Sequence, residues 1–197
     1  LDLHPCCWET RSLLMLCLLR LGDHMLAAEL VQSAPTPWQA SSCPEFVRSC
    51  LSTLDRVMQC GEPGCEQTRL YVEHGVFCLS QQRVSQRYFT YPDLALILRS
   101  FLALLQQYAW QLSCVVALDQ YAEPIVQVLS QHSGLPIRRF EQLCAADRAL
   151  LVIGVGREPE LLDVAMEQCP CEALTFCVAL NWLQQRSCYP DVSGLVV

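Results

Sequence analysis

The stretch "ALLVIGVGREPELL", residues 149–162, has the residue types of an anion site at the end of a strand. Its apolar run would form a buried strand, Gly154 and Gly156 would turn the chain, and Pro159 would open a helix whose first N–H groups point outward. A phosphate site at such a turn also calls for a lysine, or a Ser or Thr hydroxyl. This turn offers only Gly154, Gly156, Arg157 and Glu158, with Glu160 close behind. Glu158 and Glu160 put negative charge into the first helical turn, which complements the dipole of an empty helix terminus and opposes a phosphate. A second turn of the same kind is "LDQYAEP", residues 118–124. Here Asp119, Gln120, Tyr121 and Glu123 follow a compact apolar strand, at the edge where parallel sheets hold ligands. Asp119 and Glu123 could hold a cation or a partner's arginine, although solvated loop acids are the plainer reading.

Cysteine offers other chemistry. Cys60 and Cys65 bracket "GEPG", and Cys169 and Cys171 bracket a proline, so the two pairs could supply four thiolates to zinc or an iron–sulfur cluster. The first spacing fits the upper limit of a zinc knuckle and the second is too tight for one, so no metal is expected. A reversible Cys60–Cys65 disulfide is a weaker alternative to small buried or surface thiols. The histidines at 4, 24, 74 and 132 are scattered, and a nucleophilic pair of Cys78 with His74 is the one arrangement their spacing leaves open. Trp8, Trp38, Trp110 and Trp182 have no basic residues interleaved with them, which suits packing rather than base stacking.

Composition narrows the choice further. All 13 basic residues are arginine, so a Schiff base, a P-loop lysine and a lysine general base are excluded. The net charge of −7 is shared between the two parts of the chain, and neither presents the basic face that nucleic acid requires. The apolar run Leu13–Leu19 is broken by Arg20 and Asp23 and is too short to span a bilayer. Fourteen cysteines in a chain that is 52% apolar fit a reducing, cytoplasmic interior better than a disulfide scaffold. Beginning at Leu1, the chain is expected to be a piece of a longer one.

The elements that would position these residues fall into two domains, 1–74 and 75–197. The first reads as helical: one long helix over 9–32 with an apolar stripe of Leu13, Leu14, Cys17, Leu18, Leu21, Met25, Ala28 and Val31, weakened at Gly22. A linker over 33–43 leads to a helix opening at Pro44 with Ser42 or Cys43 as cap, and a short helix follows from Glu66. From Gly75 the pattern changes to a hairpin of "GVFCLS" and "RYFTY", then a helix over 92–112. After it come the strand "SCVVALD", a helix ended by Gly134, the strand "LPIRRF", and a strand–helix–strand through 180. Strands alternating with helices predict a mainly parallel sheet covered on both faces.

Over residues 75–182 the chain resembles the type I phosphoribosyltransferase fold, most nearly its orotate branch. Gly75, Phe77, Leu79, Ser85 and Tyr88 occupy the places of that branch's opening Gly-x-Phe-x-Leu-x-Ser hairpin and the Ser and Tyr after it. Pro124 and Gly134-Leu135-Pro136 match the helix after the diphosphate turn, and "LLVIGVGREPE" matches the signature strand and phosphate loop. The resemblance implies an α/β, parallel-sheet core with an N-terminal helical cap, and commonly a dimer. It also implies an acidic pair where this chain has Ile153 and Gly154, and a mobile catalytic loop where it has only "EQLCAAD". The expectation is a non-catalytic module that needs no cofactor and works through protein contacts as a regulator or assembly factor. A small-ligand sensor or enzyme reusing the crevice is one alternative. Another is a transcription regulator with a helical DNA-binding part, as in phosphoribosyltransferase-like purine repressors, against which the acidic charge argues.

Overall fold

A computed structural model describes residues 8–33, 45–60, 65–80, 90–156, 158–181 and 187–196. The chain divides into two compact units, Leu1–Gly75 and Val76–Val197. No helix among the described residues is long and apolar enough to cross a membrane.

The first unit holds helices α1 (Trp8–Leu21), α2 (His24–Gln32), α3 (Glu45–Cys60) and α4 (Glu66–His74). The expected long helix over 9–32 is therefore two. Gly22 sits at φ +78, where a right-handed helix cannot continue, and the Asp23 carboxylate accepts from the Leu26 N–H to start α2. The expected stripe holds only in part: Leu18, Ala28 and Val31 pack against the buried cluster of this unit. Leu13, Leu14, Leu21 and Met25 are exposed, while Met15 and Ala27 are fully buried against Cys50 and Leu54. The run "LLMLCLL" is apolar all round, so its periodicity selects no face, and the face was settled by packing. In α3, Cys50, Leu54 and Val57 are buried at helical spacing. Arg56 ties α3 to α4: its Nε donates to the Val72 carbonyl at 3.0 Å, near the helix end where carbonyls lack intrahelical partners. The linker and the proposed cap at Ser42 or Cys43 lie outside the described residues.

The second unit is α/β, with five strands among the described residues, all parallel: β1 (Phe77–Cys78), β2 (Cys114–Ala117), β3 (Arg148–Gly156), β4 (Glu172–Leu180) and β5 (Val192–Val196), in the order β1-β5-β4-β3-β2. Helices α5 (Tyr91–Tyr108), α6 (Glu123–Ser133) and α7 (Pro159–Gln168) connect them. The parallel-sheet class expected from the alternation is the one observed. The strands β2 to β4 are apolar runs buried on both faces, as covered parallel strands must be. Phe101 of α5 stacks on Phe176 of β4 at 3.9 Å between ring centroids, in a core with Ile125, Val126 and Leu129 of α6.

Three expectations are corrected here. Phe77–Cys78 is not an arm of a hairpin: it pairs in parallel with Val192 and Ser193, more than a hundred positions away. Of its supposed partner arm, 81–89 lies outside the described residues, while Thr90 and Tyr91 cap and open α5. "LPIRRF" forms no strand beyond a single bridge from Ile137 to Val115, because Phe140–Gln142 immediately turns into a 3-10 helix. And β5, which the sequence reading passed over, is buried along its whole length between β1 and β4. Gly194 allows this: a Cβ there would meet the Val178 carbonyl oxygen and, at 2.6 Å, Ile97 Cγ2.

The topology fixes where a ligand would go. From β2 the chain passes through α6 to the bridge at Ile137 on one side, then returns to β3 on the other. Right-handed crossovers put α6 and α7 on opposite faces, and the crevice between the carboxyl ends of β2 and β3 is the switch point where open α/β sheets bind ligands.

Candidate functional site

Both turns singled out in the sequence arrive at this switch point, and the structure presses them together. Asp119 follows β2, and its carboxylate accepts from two backbone N–H groups: Oδ1 from Ala122 at 2.7 Å and Oδ2 from Gly154 at 3.0 Å. Both donors are buried residues. The first bond closes the turn that launches α6. The second crosses to β3, so one side chain joins the two walls of the crevice. Backbone N–H groups converging at a switch point are what an anionic ligand would use. Here a carboxylate of the chain itself holds them.

Gly154 shows how tight the closure is. A Cβ at this position would lie 2.6 Å from Tyr121 Cβ, 2.8 Å from the Tyr121 carbonyl carbon and 3.0 Å from the Ala122 nitrogen. Glycine is required because another backbone segment lies against it, with no positive φ involved. Where the resemblance implies an acidic residue, any side chain would collide with the α6 turn.

The remaining candidates do not converge on one point. Gln120 and Tyr121 are exposed, and Gly156 is buried at the last position of β3. Glu158 caps α7 without a side-chain hydrogen bond, and both it and Glu160 are exposed. Arg157 lies outside the described residues. Glu123, the first residue of α6, instead lines a neighbouring cleft of ≈ 550 Å³ together with Leu118, Gln127, Arg139, Phe140 and Leu161.

The sequence reading missed a second aspartate. Asp147 is 7% exposed and closes the short loop ahead of β3. Arg138 Nη1 reaches its two oxygens at 2.8 and 2.9 Å, the Cys144 N–H and thiol donate to Oδ2 at 3.0 and 3.1 Å, and the Ser113 hydroxyl donates to Oδ1 at 3.3 Å. The Cys144 backbone N–H and its thiol, and then Arg138 and Ser113, hold this carboxyl below the usual carboxylate range. The one available signal was an Arg and an Asp enclosing a loop too short to be mobile.

No group of three or more His, Cys, Asp or Glu among the described residues is placed to hold a metal ion. Cys60 ends α3 and Cys65 precedes α4 with its sulfur 3.1 Å from the Thr68 hydroxyl; both are exposed. In the other unit, Cys169 and Cys171 are half-buried with their sulfurs 3.7 Å apart. Trp110 stacks on Tyr108 at 5.8 Å, beyond the carboxyl end of α5.

No family model matches the chain, and no curated protein sequence matches it. Among solved structures, the chain is similar to a purine phosphoribosyltransferase from Pyrococcus horikoshii Ot3, at 14% identity and a TM-score of 0.48, over 56% of this chain and 87% of that one.

Proposed function

We propose that this chain is a non-catalytic module of the phosphoribosyltransferase type, nearest the orotate branch, that works through protein contacts as a regulator or assembly factor. The observation that carries the reading is the Asp119 carboxylate seated on the Ala122 and Gly154 N–H groups. A bound phosphate would have to displace a covalently attached carboxylate, which competes at very high effective concentration. Tyr121 against Gly154 removes the space as well as the donors. The exposed Glu158 and Glu160 add repulsion, and no lysine exists to offset it. Exposed apolar side chains, among them Leu21 and Met25 in the first unit and Leu96 and Ile137 in the second, suit a homodimer or a hetero-complex.

Titration with phosphoribosyl diphosphate, followed by the melting transition, tests this. The expected result is an unmoved transition. A true ligand at a hundredfold excess over its Kd would stabilise the fold by about 2.7 kcal/mol, and a shift of that size would overturn the proposal. A second reading, a small-ligand sensor, draws on the cleft beside Glu123 and Arg139, whose mixed charge and apolar wall suit a neutral or zwitterionic molecule. It predicts stabilisation by such a compound with none from the diphosphate.

A further inference from the structure

The pair Cys169 and Cys171 lies at the amino end of the sheet, away from the crevice and independent of its reading. Cys169 follows the last turn of α7, Cys171 leads into β4, and only Pro170 separates them. Their sulfurs are 3.7 Å apart, and the Cys169 thiol also points at the Cys171 carbonyl oxygen at 3.4 Å. A disulfide needs about 2.05 Å between sulfurs, so side-chain rotation has to bring them about 1.7 Å closer. Pro170 fixes one of the few torsions between the two residues, which lowers the entropy lost on closing the ring. Both residues pack against the buried cluster that includes Leu143, Ala149 and Leu151 and remain partly open to solvent. A buried thiol used only as a small hydrophobe does not need that access.

We propose that Cys169 and Cys171 form a thiol–disulfide exchange site for a low-molecular-weight disulfide such as oxidised glutathione. The Cys169 thiolate attacks one sulfur of the small disulfide, forming a mixed disulfide and releasing one small thiolate. The Cys171 thiolate then attacks the Cys169 sulfur, closing the intramolecular bond and releasing the second. Two protein thiols are oxidised, one small disulfide is reduced to two thiols, and the protons from Cys169 and Cys171 pass to the departing thiolates.

The order of attack follows from the surroundings. Burial, then the hydrogen bond and charge of Cys169, push the Cys171 thiol up to about 11, which keeps it protonated at neutral pH and suits it to the second step. Once the Cys169 sulfur is bonded, its contributions vanish and Cys171 ionises more readily for the second step. A ring closed over one residue is strained, and strained disulfides are the readily reduced ones, so the exchange runs in both directions.

The test uses the whole chain in glutathione buffers of stepped oxidation, quenched in acid, alkylated, cleaved at arginine and weighed. The peptide Glu158–Arg186 carries Cys169, Cys171 and the buried Cys177 as internal control. Cys169 and Cys171 are expected to lose their alkylations together, with the peptide lighter by two hydrogens, while Cys177 keeps its own. The Cys171→Ser chain should hold glutathione on Cys169, and the Cys169→Ser chain should hold less on Cys171. Three alkylated cysteines at every potential, a bond from either residue to a different cysteine, or a Cys171→Ser chain that takes no glutathione would each overturn the assignment.

Discussion

Two aspartates close two loops at opposite ends of the same strands, and they do so with different chemistry. Asp147, ahead of β3, is 7% exposed and meets a guanidinium, a thiol, a hydroxyl and a backbone N–H. Asp119, after β2, is half-buried and accepts from two backbone N–H groups, with no cation among those bonds. The first is a nearly buried carboxylate in an ion pair with a supporting network, the kind of group whose removal takes the acceptor from several donors at once. The second is a carboxylate on oriented peptide dipoles, an arrangement equally suited to a ligand. At the amino end an acid is structural cement, and at the carboxyl end the same residue type stands where a ligand's charge would be.

Removing each carboxylate separates the two roles. Asp147→Ala takes the acceptor from Arg138 and the Cys144 N–H and leaves the Ser113 hydroxyl to the Arg148 carbonyl oxygen. It should lower the urea midpoint more than any other substitution named here, because every donor it strands converges on one point. A midpoint close to wild type would show that the network is ornamental and that the contrast with Asp119 is false.

Gly154→Ala comes next and probes the closed crevice by steric means. The added methyl meets Tyr121 Cβ at 2.6 Å and two backbone atoms at 2.8 and 3.0 Å, so the α6 turn has to move. The expected loss is about 1–3 kcal/mol by denaturant titration. A neutral result would mean that the turn yields easily and that the crevice is not closed. Asp119→Ala should cost less, about 1 kcal/mol, since water entering the place of the half-buried carboxylate partly replaces the acceptor of the two N–H groups. Its informative readout is different: inorganic phosphate should stabilise Asp119→Ala and leave the wild type unmoved. If phosphate helps neither, Glu158, Glu160 and Tyr121 bar the crevice without Asp119. If it helps both, the reading of Asp119 as a plug fails.

These contrasts also show what the sequence could and could not convey. "CVVA" and "ALLVIGVG" announce buried strands by their apolar runs, and Pro124 and Gly134 mark α6 because a fixed φ and a left-handed cap are local demands. Partner choice is another matter. Nothing in "GVFCLS" reveals that Phe77 will lie beside Val192, and "DVSGLV" is too small and polar in its middle to look like a buried strand until Gly194 meets the Val178 carbonyl. At the crevice, Asp119 and Gly154 were each visible as oddities for a phosphate site, one too acidic and one too small. Their bond spans 35 positions, so only the fold explains both at once. Asp147 was harder to see: the short loop behind Arg138 hints at it, while the Ser113 hydroxyl reaches it from 34 positions away.

The smallest expected effect is an acid-dependent one at the Asp147 end. A carboxyl held below its ordinary range in the folded chain takes up its proton later than the same group in the unfolded chain as pH falls. Its stabilisation is whole above the unfolded value, about 3.9, and is lost as pH drops through the lower folded value. Asp93 shares this direction: the Thr90 hydroxyl and backbone N–H at the start of α5 hold it down. Urea midpoints followed from near-neutral pH to about pH 3 should therefore fall for the wild type below about pH 4. Asp147→Asn removes one of the two titrating groups, so its curve should start lower and fall less steeply while keeping the part due to Asp93. Parallel curves would mean that Asp147 binds its proton equally in both states. Its network would then contribute only packing, and the electrostatic half of the contrast between the two aspartates would be lost.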